Sequence, residues 1–331
     1  MSQRPPSSGS PRPRPAAQPP SKSRGQVHAA AGRRPPTKKQ RRRMANQPSQ
    51  PVVRAWWQKP IYWAGGTLVF ALVVVVLVLL LLPPSFAVST PTKVPAAVLT
   101  AVTNPGDHAF ATVGEGGQSG NLSRLTGTKP LTDSAGRPEV VYVGGDYCPY
   151  CGAERWSMIM ALSRFGTFTG LKEMSSSGTD IYPDTSTFTF QDSGYTSQWI
   201  HFIPVEEYDQ NDNPLQTPSS TIEQIVTTYD QEPYTASAAG DPGLPFLDIG
   251  GDYVLFQTSY SPSILQGLTW TRIASDLSNL TSPVTLAIVG NANYLSAAIC
   301  LADSNQPAAV CSSASIQGIE TALTAQSTVG S

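Results

Sequence analysis

The pattern of apolar and polar positions divides the chain at one long apolar run. Residues 61–82 are dominated by large apolar side chains and carry no charge, and these 22 residues exceed the roughly 20 that a helix needs to cross a bilayer. The run is also longer than the roughly 7 to 15 apolar residues of a signal peptide, which favours a retained anchor over cleavage after Ala87. We predict a transmembrane helix at 61–82.

After residue 105 the pattern becomes that of a folded domain, which we place at 106–331. The apolar run Val140–Val143 predicts a buried central strand. Large apolar side chains then recur at helical spacing, which predicts a helix that starts near residue 148 and ends at Gly166.

Further elements follow this helix. The pattern predicts, in order, a hairpin of 187–190 and 195–205, an insertion at 206–240 with a short helix near 219–229, a strand, a Gly-Gly turn and a second strand within 243–255, and helices at 262–279, 283–300 and 313–324. This order suits an α/β fold in which helices pack on a mixed sheet. The insertion separates the first helix from the strand pair at 243–255.

Charge is distributed unevenly about the apolar run. Fourteen of the 22 Lys and Arg lie in residues 1–60, which contain no acidic residue, and the other eight face all 23 Asp and Glu. Positive flanks stay cytoplasmic, and Arg54 and Lys59 precede the run whereas Lys93 alone follows it closely. We therefore expect a single-pass membrane protein with a cytoplasmic N-terminus and an extracytoplasmic C-terminal domain.

The basic N-terminal segment has almost no large apolar side chains, so residues 1–60 are predicted to be disordered. Beside a membrane, its Arg/Lys cluster is expected to meet anionic lipid rather than a specific nucleic acid. Met44 is an alternative start that would leave the topology unchanged. Residues 83–105 contain five prolines and are interpreted as a stalk.

The candidate chemistry lies at Cys148-Pro149-Tyr150-Cys151, where the predicted strand gives way to the helix. Exchange with disulfides needs one thiolate as attacker and a second thiol nearby to release the mixed disulfide. The unpaired N–H groups of a helix start stabilise a thiolate, so Cys148 is the expected attacker and Cys151 the resolving thiol. Pro149 suits the first helical turn, where its missing N–H would have no partner.

Two other roles remain open for this pair, a structural disulfide and half of a zinc site. A zinc site needs two further ligands, and the chain offers Cys300, Cys311, His108 and His201, with His28 across the predicted membrane. There is no second C-x-x-C motif, so we predict no metal site and no cofactor.

The strand, the C-x-x-C helix start and the later Leu244-Pro245 ahead of a strand together resemble the thioredoxin superfamily. The block from Gly144 to Trp156, which contains the C-x-x-C, more closely resembles a prokaryotic family catalogued only as a domain of unknown function, and that resemblance covers about residues 95–325. The resemblance implies a thioredoxin-like fold, in which Cys148 and Cys151 form the redox pair. It also implies that Pro245 is a cis-proline facing them, with the Leu244 backbone pairing with an extended substrate. A loop proline at a strand start is the ordinary alternative.

One position departs from the pattern of that superfamily. Many of its members carry a buried acid six residues before the first cysteine, where this chain has Tyr142. Asp146 would oppose a thiolate at Cys148 if the two were close, whereas Arg155 would support it. The residues leave open whether the protein oxidises or reduces its clients.

The other polar candidates are interpreted as structural. Cys300 and Cys311 are expected to form a structural disulfide, with an electron-shuttling pair as the alternative. The adjacent Glu206 and Glu207 are interpreted as surface charges, and His201 as a strand residue with a hydrogen-bond partner.

These features predict a membrane-anchored thiol–disulfide oxidoreductase that acts on protein thiols or disulfides and exchanges electrons with a further redox partner. The main alternative is a non-catalytic binding or scaffold protein that keeps the fold and its disulfides. Copper or zinc delivery through the thiolates is a weaker one, because soft-metal sites usually add His or Met near the cysteines and the closest Met residues here lie on the core face of the helix. None of the three depends on nucleic acid, and each contacts lipid through the anchor.

Overall fold

The computed structural model describes residues 90–229 and 243–327, together with Val73, Gln231 and Tyr234. The predicted tail at 1–60 and, apart from Val73, the predicted membrane helix at 61–82 lie outside the described residues. The elements below belong to a compact unit that extends from Pro84 to Ser331.

The described residues form many short strands and several helices. The strands in chain order are β1 (Thr92–Lys93), β2 (Leu122–Arg124), β3 (Glu139–Gly145), β4 (Gly166–Thr169), β5 (Lys172–Ser175), β6 (Ser186–Thr189), β7 (Gly194–Ser197), β8 (His201–Tyr208), β9 (Phe246–Ile249) and β10 (Tyr253–Phe256). The α-helices are α1 (Ala96–Thr103), α2 (Asp107–Val113), α3 (Pro149–Leu162), α4 (Ser220–Tyr229), α5 (Trp270–Asp276), α6 (Pro283–Ala302), α7 (Ala308–Cys311) and α8 (Ala314–Ala325).

A five-stranded mixed sheet with flanking helices organises the unit, as the α/β prediction requires. Its spatial order is β2-β10-β9-β3-β8. Strand β3 runs parallel to β8 and antiparallel to β9, and the β9–β10 and β10–β2 pairs are antiparallel. The prediction of an interior strand at β3 is confirmed. The remaining strands form two separate, smaller sheets, β1-β5-β6 and β4-β7.

The two-residue period of β3 divides the core between the two faces of the sheet. Val140 and Tyr142 join the larger cluster, to which α3 and α6 contribute, whereas Val141 and Val143 join a smaller one that includes Ile222 of α4. Because both faces are covered, β3 consists of consecutive apolar residues instead of alternating polar and apolar ones.

Helix α6 is the main partner of α3 in the larger core. Among the described helices, α6 is the one long and apolar enough to cross a bilayer, and 89% of its most apolar stretch is buried within the domain. Its apolar composition is therefore accounted for by packing against other elements of the unit.

Several predicted elements differ from those observed. Residues 187–190 and 195–205 do not form a hairpin, because β6 pairs with β5 and β7 pairs with β4. The predicted helix at 262–279 is broken by Gly267, whose φ of +73° is not helical, so only a 3₁₀ turn at Pro262–Leu265 and α5 form there. Helix α3 ends at Leu162, and Gly166 opens β4 instead of capping the helix.

The segment interpreted as a stalk contributes to the folded unit. Within 83–105, Val94, Val98 and Val102 are buried in the larger core. Their four-residue spacing places the last two on one face of α1, and this periodicity outweighs the proline content that suggested an extended stalk.

A disulfide joins Cys300 at the end of α6 to Cys311 of α7, which confirms the predicted pairing. The Cα atoms are 5.6 Å apart and both cysteines are buried. By loop-closure arguments such a bridge stabilises a domain by about 3 kcal/mol. It ties α7 to the core helix α6.

Candidate active site

The C-x-x-C motif lies where the central strand β3 turns into α3. Cys148 is the N-cap residue of α3, with φ −77° and ψ 120°, and Pro149 occupies the first helical turn. The backbone N–H of Cys151 donates a hydrogen bond to the Cys148 sulfur at 3.2 Å. Both cysteines are free thiols, and they lie one helical turn apart at the carboxyl end of β3.

The two thiols have opposite electrostatic environments. A hydrogen bond from the side chain of Cys151 lowers the pKa of Cys148 from its ordinary value against the effect of burial, with further help from the Cys151 backbone N–H and the charge of Arg155. Burial raises the pKa of Cys151 well above its ordinary value. Cys148 is therefore the thiol that more readily loses its proton, and Cys151 the one that retains it.

A buried arginine lies on the helix that begins at the thiol pair. Arg155 is fully buried, and its guanidinium donates to Glu206 Oε1 at 3.0 Å and Oε2 at 2.5 Å, and to the Gly145 carbonyl at 2.9 Å. Asp146 Oδ1 lies 3.4 Å from the same Nη2 atom. The ring of Tyr142 is 5.8 Å from the guanidinium carbon. Arg155 thus joins the turn before Cys148 to strand β8.

Glu206 lies in the core, contrary to its interpretation from the sequence. The sequence suggests a surface charge, but the side chain is fully buried and accepts the two Arg155 hydrogen bonds. It also accepts the Phe190 N–H at 3.2 Å. Burial raises its pKa to about 7, although Arg155 acts in the opposite direction. The neighbouring Glu207 is only partly buried, so the alternation of the strand directs one carboxylate inward.

Asp146 and Tyr142 complete this cluster. Burial raises the pKa of Asp146, while Arg155 and a hydrogen bond from Thr189 act against that shift. The Tyr142 hydroxyl, six residues before Cys148, is buried without a hydrogen-bond partner among the described residues. Burial raises the pKa of Tyr142 well above its ordinary value, so this side chain is neutral.

The Leu244-Pro245 segment lies at the same end of the sheet as the thiols. Its peptide bond is cis, the form that the resemblance implies. Phe246, the next residue, pairs with Val143 near the end of β3, and the Pro245 carbonyl accepts the Gln257 N–H at 3.1 Å. The strand register thus brings together segments separated by about a hundred residues in sequence.

Gly152 permits a second strand to approach the motif. Thr187 of β6 donates its hydroxyl to the Gly152 carbonyl at 2.8 Å, and a Cβ on Gly152 would lie 3.3 Å from the Thr187 Cβ. A side chain at position 152 would therefore require Thr187 to shift by a few tenths of an ångström.

The remaining sequence candidates lie apart from the thiols. His201 contacts Glu139 at 3.1 Å at the start of β8, the opposite end of the sheet. Cys300 and Cys311 are joined to each other as described above. Among residues 90–229 and 243–327, no group of three or more His, Cys, Asp or Glu side chains is arranged to hold a metal ion.

Comparison with known families identifies one match. Residues 129–301, more than half of the chain, match the model described as Domain of unknown function (DUF929). The chain belongs to this family. The matched region includes the C-x-x-C motif, Arg155, Glu206 and the Leu244-Pro245 segment, so the whole candidate site lies in the DUF929 domain. No curated protein and no solved structure matches the chain.

Proposed function

We propose that this DUF929 protein is a thiol–disulfide oxidoreductase with a thioredoxin-like domain. The observation that carries the proposal is the position of Cys148. It is the N-cap of α3, accepts the Cys151 N–H at 3.2 Å, and has a lowered pKa, whereas the Cys151 pKa is raised. The strand order β8-β3-β9-β10, with the C-x-x-C after β3 and Pro245 before β9, supports the thioredoxin-like assignment.

The proposed reaction moves two electrons between the thiol pair and a client disulfide. The Cys148 thiolate attacks one client sulfur, so that a Cys148–client bond forms while the client disulfide breaks and releases a thiolate. Cys151 then gives up its proton and attacks Cys148, and the second client thiolate leaves. The client is reduced and the pair becomes a disulfide. The reverse sequence oxidises a client dithiol.

The burial of Cys148 favours the second candidate, a binding or scaffold protein without exchange activity. Cys148 is only 6% exposed, whereas an attacking thiolate must reach a client sulfur. The two candidates therefore differ in whether Cys148 reacts in the folded protein.

Alkylation of the reduced full-length chain in neutral detergent distinguishes them. We expect iodoacetamide to modify Cys148 with a pH midpoint below the ordinary cysteine value of about 8.5. At pH 7, Cys151 should react at least about tenfold more slowly, because its thiol is buried and protonated. Peptide mapping would identify the modified cysteine. If neither thiol reacts until the protein unfolds, the scaffold role replaces the enzymatic one.

We also propose that the protein is anchored in the cell membrane with its N-terminus in the cytoplasm and its thiol domain outside. The uncharged run at 61–82 and the basic residues before it support this orientation. Protease added to intact cells should degrade the domain and spare the tail. A mature N-terminus at Val88 would instead demonstrate cleavage and contradict the anchor.

A further inference from the structure

An aromatic rim lies beside the thiol pair. Tyr150, between the cysteines, contacts Tyr182 edge to face with ring centroids 5.9 Å apart, and Tyr147 contacts Tyr208 in the same way at 5.9 Å. All four rings are partly exposed. Ile181, next to Tyr182, is 67% exposed. Among the described residues from 90 onwards, no other large apolar side chain is exposed. The rim offers apolar contact area to a chain that approaches the thiols.

Two loops are held against the motif by backbone hydrogen bonds. The Ser177 N–H donates to the Tyr147 carbonyl at 2.8 Å, which fixes the loop 176–184. The Asp146 N–H donates to the Tyr208 carbonyl at 2.8 Å, which fixes residues 207–216, the end of β8 and the turn that follows it. Each loop contributes one partner of the aromatic pairs, so both lie next to the cysteines.

These two loops are acidic. The first carries Asp180 and Asp184, and the turn at 207–216 carries Glu207, Asp209 and Asp212. Asp184 and Asp212 are exposed, and the other three are partly exposed. Burial is the main cause of the raised pKa values of Tyr150 and Tyr147; the charge of Asp180 adds to the first, and the charges of Cys148, Cys151 and Asp212 add to the second.

No positive side chain on these segments offsets the carboxylates. Residues 145–150, 176–184 and 207–216 contain no Lys or Arg. The nearest cations in sequence are Lys172, which pairs with Asp192 at 3.1 Å, and Arg155, which is fully buried and paired with Glu206. A polypeptide that approaches the thiols therefore meets a surface with negative charge and apolar rings.

We propose that the clients of this site are cysteines in extended polypeptide segments that carry Lys or Arg beside the cysteine. The cationic side chains face Asp180, Asp184 and Asp212, and an apolar neighbour of the cysteine packs on Ile181 and the tyrosine rings. The inference rests on the proposed oxidoreductase function and adds the substrate class. Charges of this kind act mainly on the rate of association, and salt weakens them.

Two peptide probes test the preference directly. Each is a mixed disulfide with thionitrobenzoate, and they differ only in whether lysines or glutamates flank the cysteine. Release of thionitrobenzoate by the reduced full-length chain in neutral detergent gives the second-order rate constant. We expect the lysine peptide to react about tenfold or more faster at 20 mM salt, and the two rates to converge near 500 mM salt.

Two variants assign this preference to the acidic loops. Asp180→Asn combined with Asp212→Asn should reduce the lysine preference by about threefold or more at low salt. Asp252→Asn is the matched control, since this exposed carboxylate lies on the β9–β10 turn at the other end of the sheet and should leave the preference unchanged. A small neutral disulfide should react equally with all three proteins.

The outcomes separate the two proposals. Equal rates for the two peptides at low salt, or a faster glutamate peptide, would overturn the cationic client while leaving the oxidoreductase in place. Asp252→Asn removes one charge and the double variant removes two, so a loss of preference in Asp252→Asn that is half or more of the loss in the double variant would also overturn it, because the effect would then follow net charge. Absence of reaction with the neutral disulfide would instead remove the proposed function itself.

Discussion

Replacing Cys148 by serine should abolish disulfide exchange, whereas replacing Cys151 by serine should leave the chain covalently attached to its client. A hydroxyl is not a nucleophile at neutral pH, so Cys148→Ser loses the attacking group, and the exchange rate should fall by roughly 10³-fold or more. Cys151→Ser keeps the attacker but lacks the thiol that releases the client. The mixed disulfide should accumulate through Cys148.

The structure indicates that these variants will fold. Serine is a favourable N-cap residue, so the Cys148→Ser variant keeps an acceptor for the N–H of residue 151. In Cys151→Ser the new hydroxyl would be fully buried, at a cost of about 1–3 kcal/mol if it finds no partner. Circular dichroism and thermal unfolding would check the fold of each variant before exchange is measured.

The second cysteine pair supplies the matched control. The double variant Cys300→Ala/Cys311→Ala removes the disulfide between α6 and α7 and should lose about 3 kcal/mol of stability while retaining exchange. Non-reducing electrophoresis and mass spectrometry of the full-length chain from cells would detect the mixed disulfides. Trapping that persists in Cys148→Ser/Cys151→Ser would show that another thiol is responsible, and loss of exchange in the control would favour a shuttle role for Cys300 and Cys311.

The sequence predicts the elements that depend on local signals. Gly or Pro residues mark the boundaries of three of these elements. They are the end of the apolar run of β3, the helix start at Pro149 and the Gly-Gly turn between β9 and β10. The short helix α4 also forms within the predicted insertion. These elements include both segments that carry the thiols and Pro245.

The elements that differ from the prediction depend on distant partners. Strands β4 and β5 are four residues each, with few large apolar side chains, and become strands by pairing with β7 and β6. A hairpin between β6 and β7 is the nearest alternative in sequence, so local reasoning selects it. Tertiary pairing decides the strand partners here, because local propensity for such short segments is weak.

The buried pair of Arg155 and Glu206 is not predicted from the sequence, because it too depends on residues that are distant along the chain. Arg155 and Glu206 are 51 residues apart, and neither shows by itself that it is buried. Two signals nevertheless point to it. Arg155 is the basic residue of an otherwise largely apolar helix, and the adjacent Glu206 and Glu207 in a strand must point to opposite faces. An inward carboxylate and an inward guanidinium in neighbouring elements are expected to form an ion pair, because an unpaired buried charge is costly.

Arg155→Met should cause the largest loss of stability among variants around the thiol pair. The change leaves Glu206 and Asp146 buried without their cation, and breaking a buried pair in this way typically costs about 3–5 kcal/mol. Arg272→Met is the control, since this exposed arginine pairs with Asp276 on the surface of α5 and should change stability by less than about 0.5 kcal/mol.

The loss should depend on pH with a definite sign. Burial already raises the native pKa of Glu206 to about 7, above its unfolded value of 4.5, and removal of Arg155 raises it further. The native variant then binds more protons than the unfolded chain, so its free energy of unfolding falls as pH rises from 5 to 8. Urea unfolding of the variant, the control and the wild-type protein at pH 5, 6.5 and 8 would measure how far each free energy of unfolding falls. The fall should be largest in Arg155→Met.

A second readout separates an electrostatic role of Arg155 from a purely structural one. Arg155 lowers the pKa of Cys148, so the alkylation midpoint of that thiol should rise in Arg155→Met. Glu206→Gln keeps the shape and an acceptor oxygen but leaves the guanidinium less neutralised, and the midpoint should therefore fall. Shifts in opposite directions would establish that the buried pair sets the charge felt by Cys148. If both variants shift the midpoint in the same direction, or neither shifts it, Arg155 only supports the fold, and the low pKa of Cys148 must come from the helix start and its hydrogen bond to Cys151.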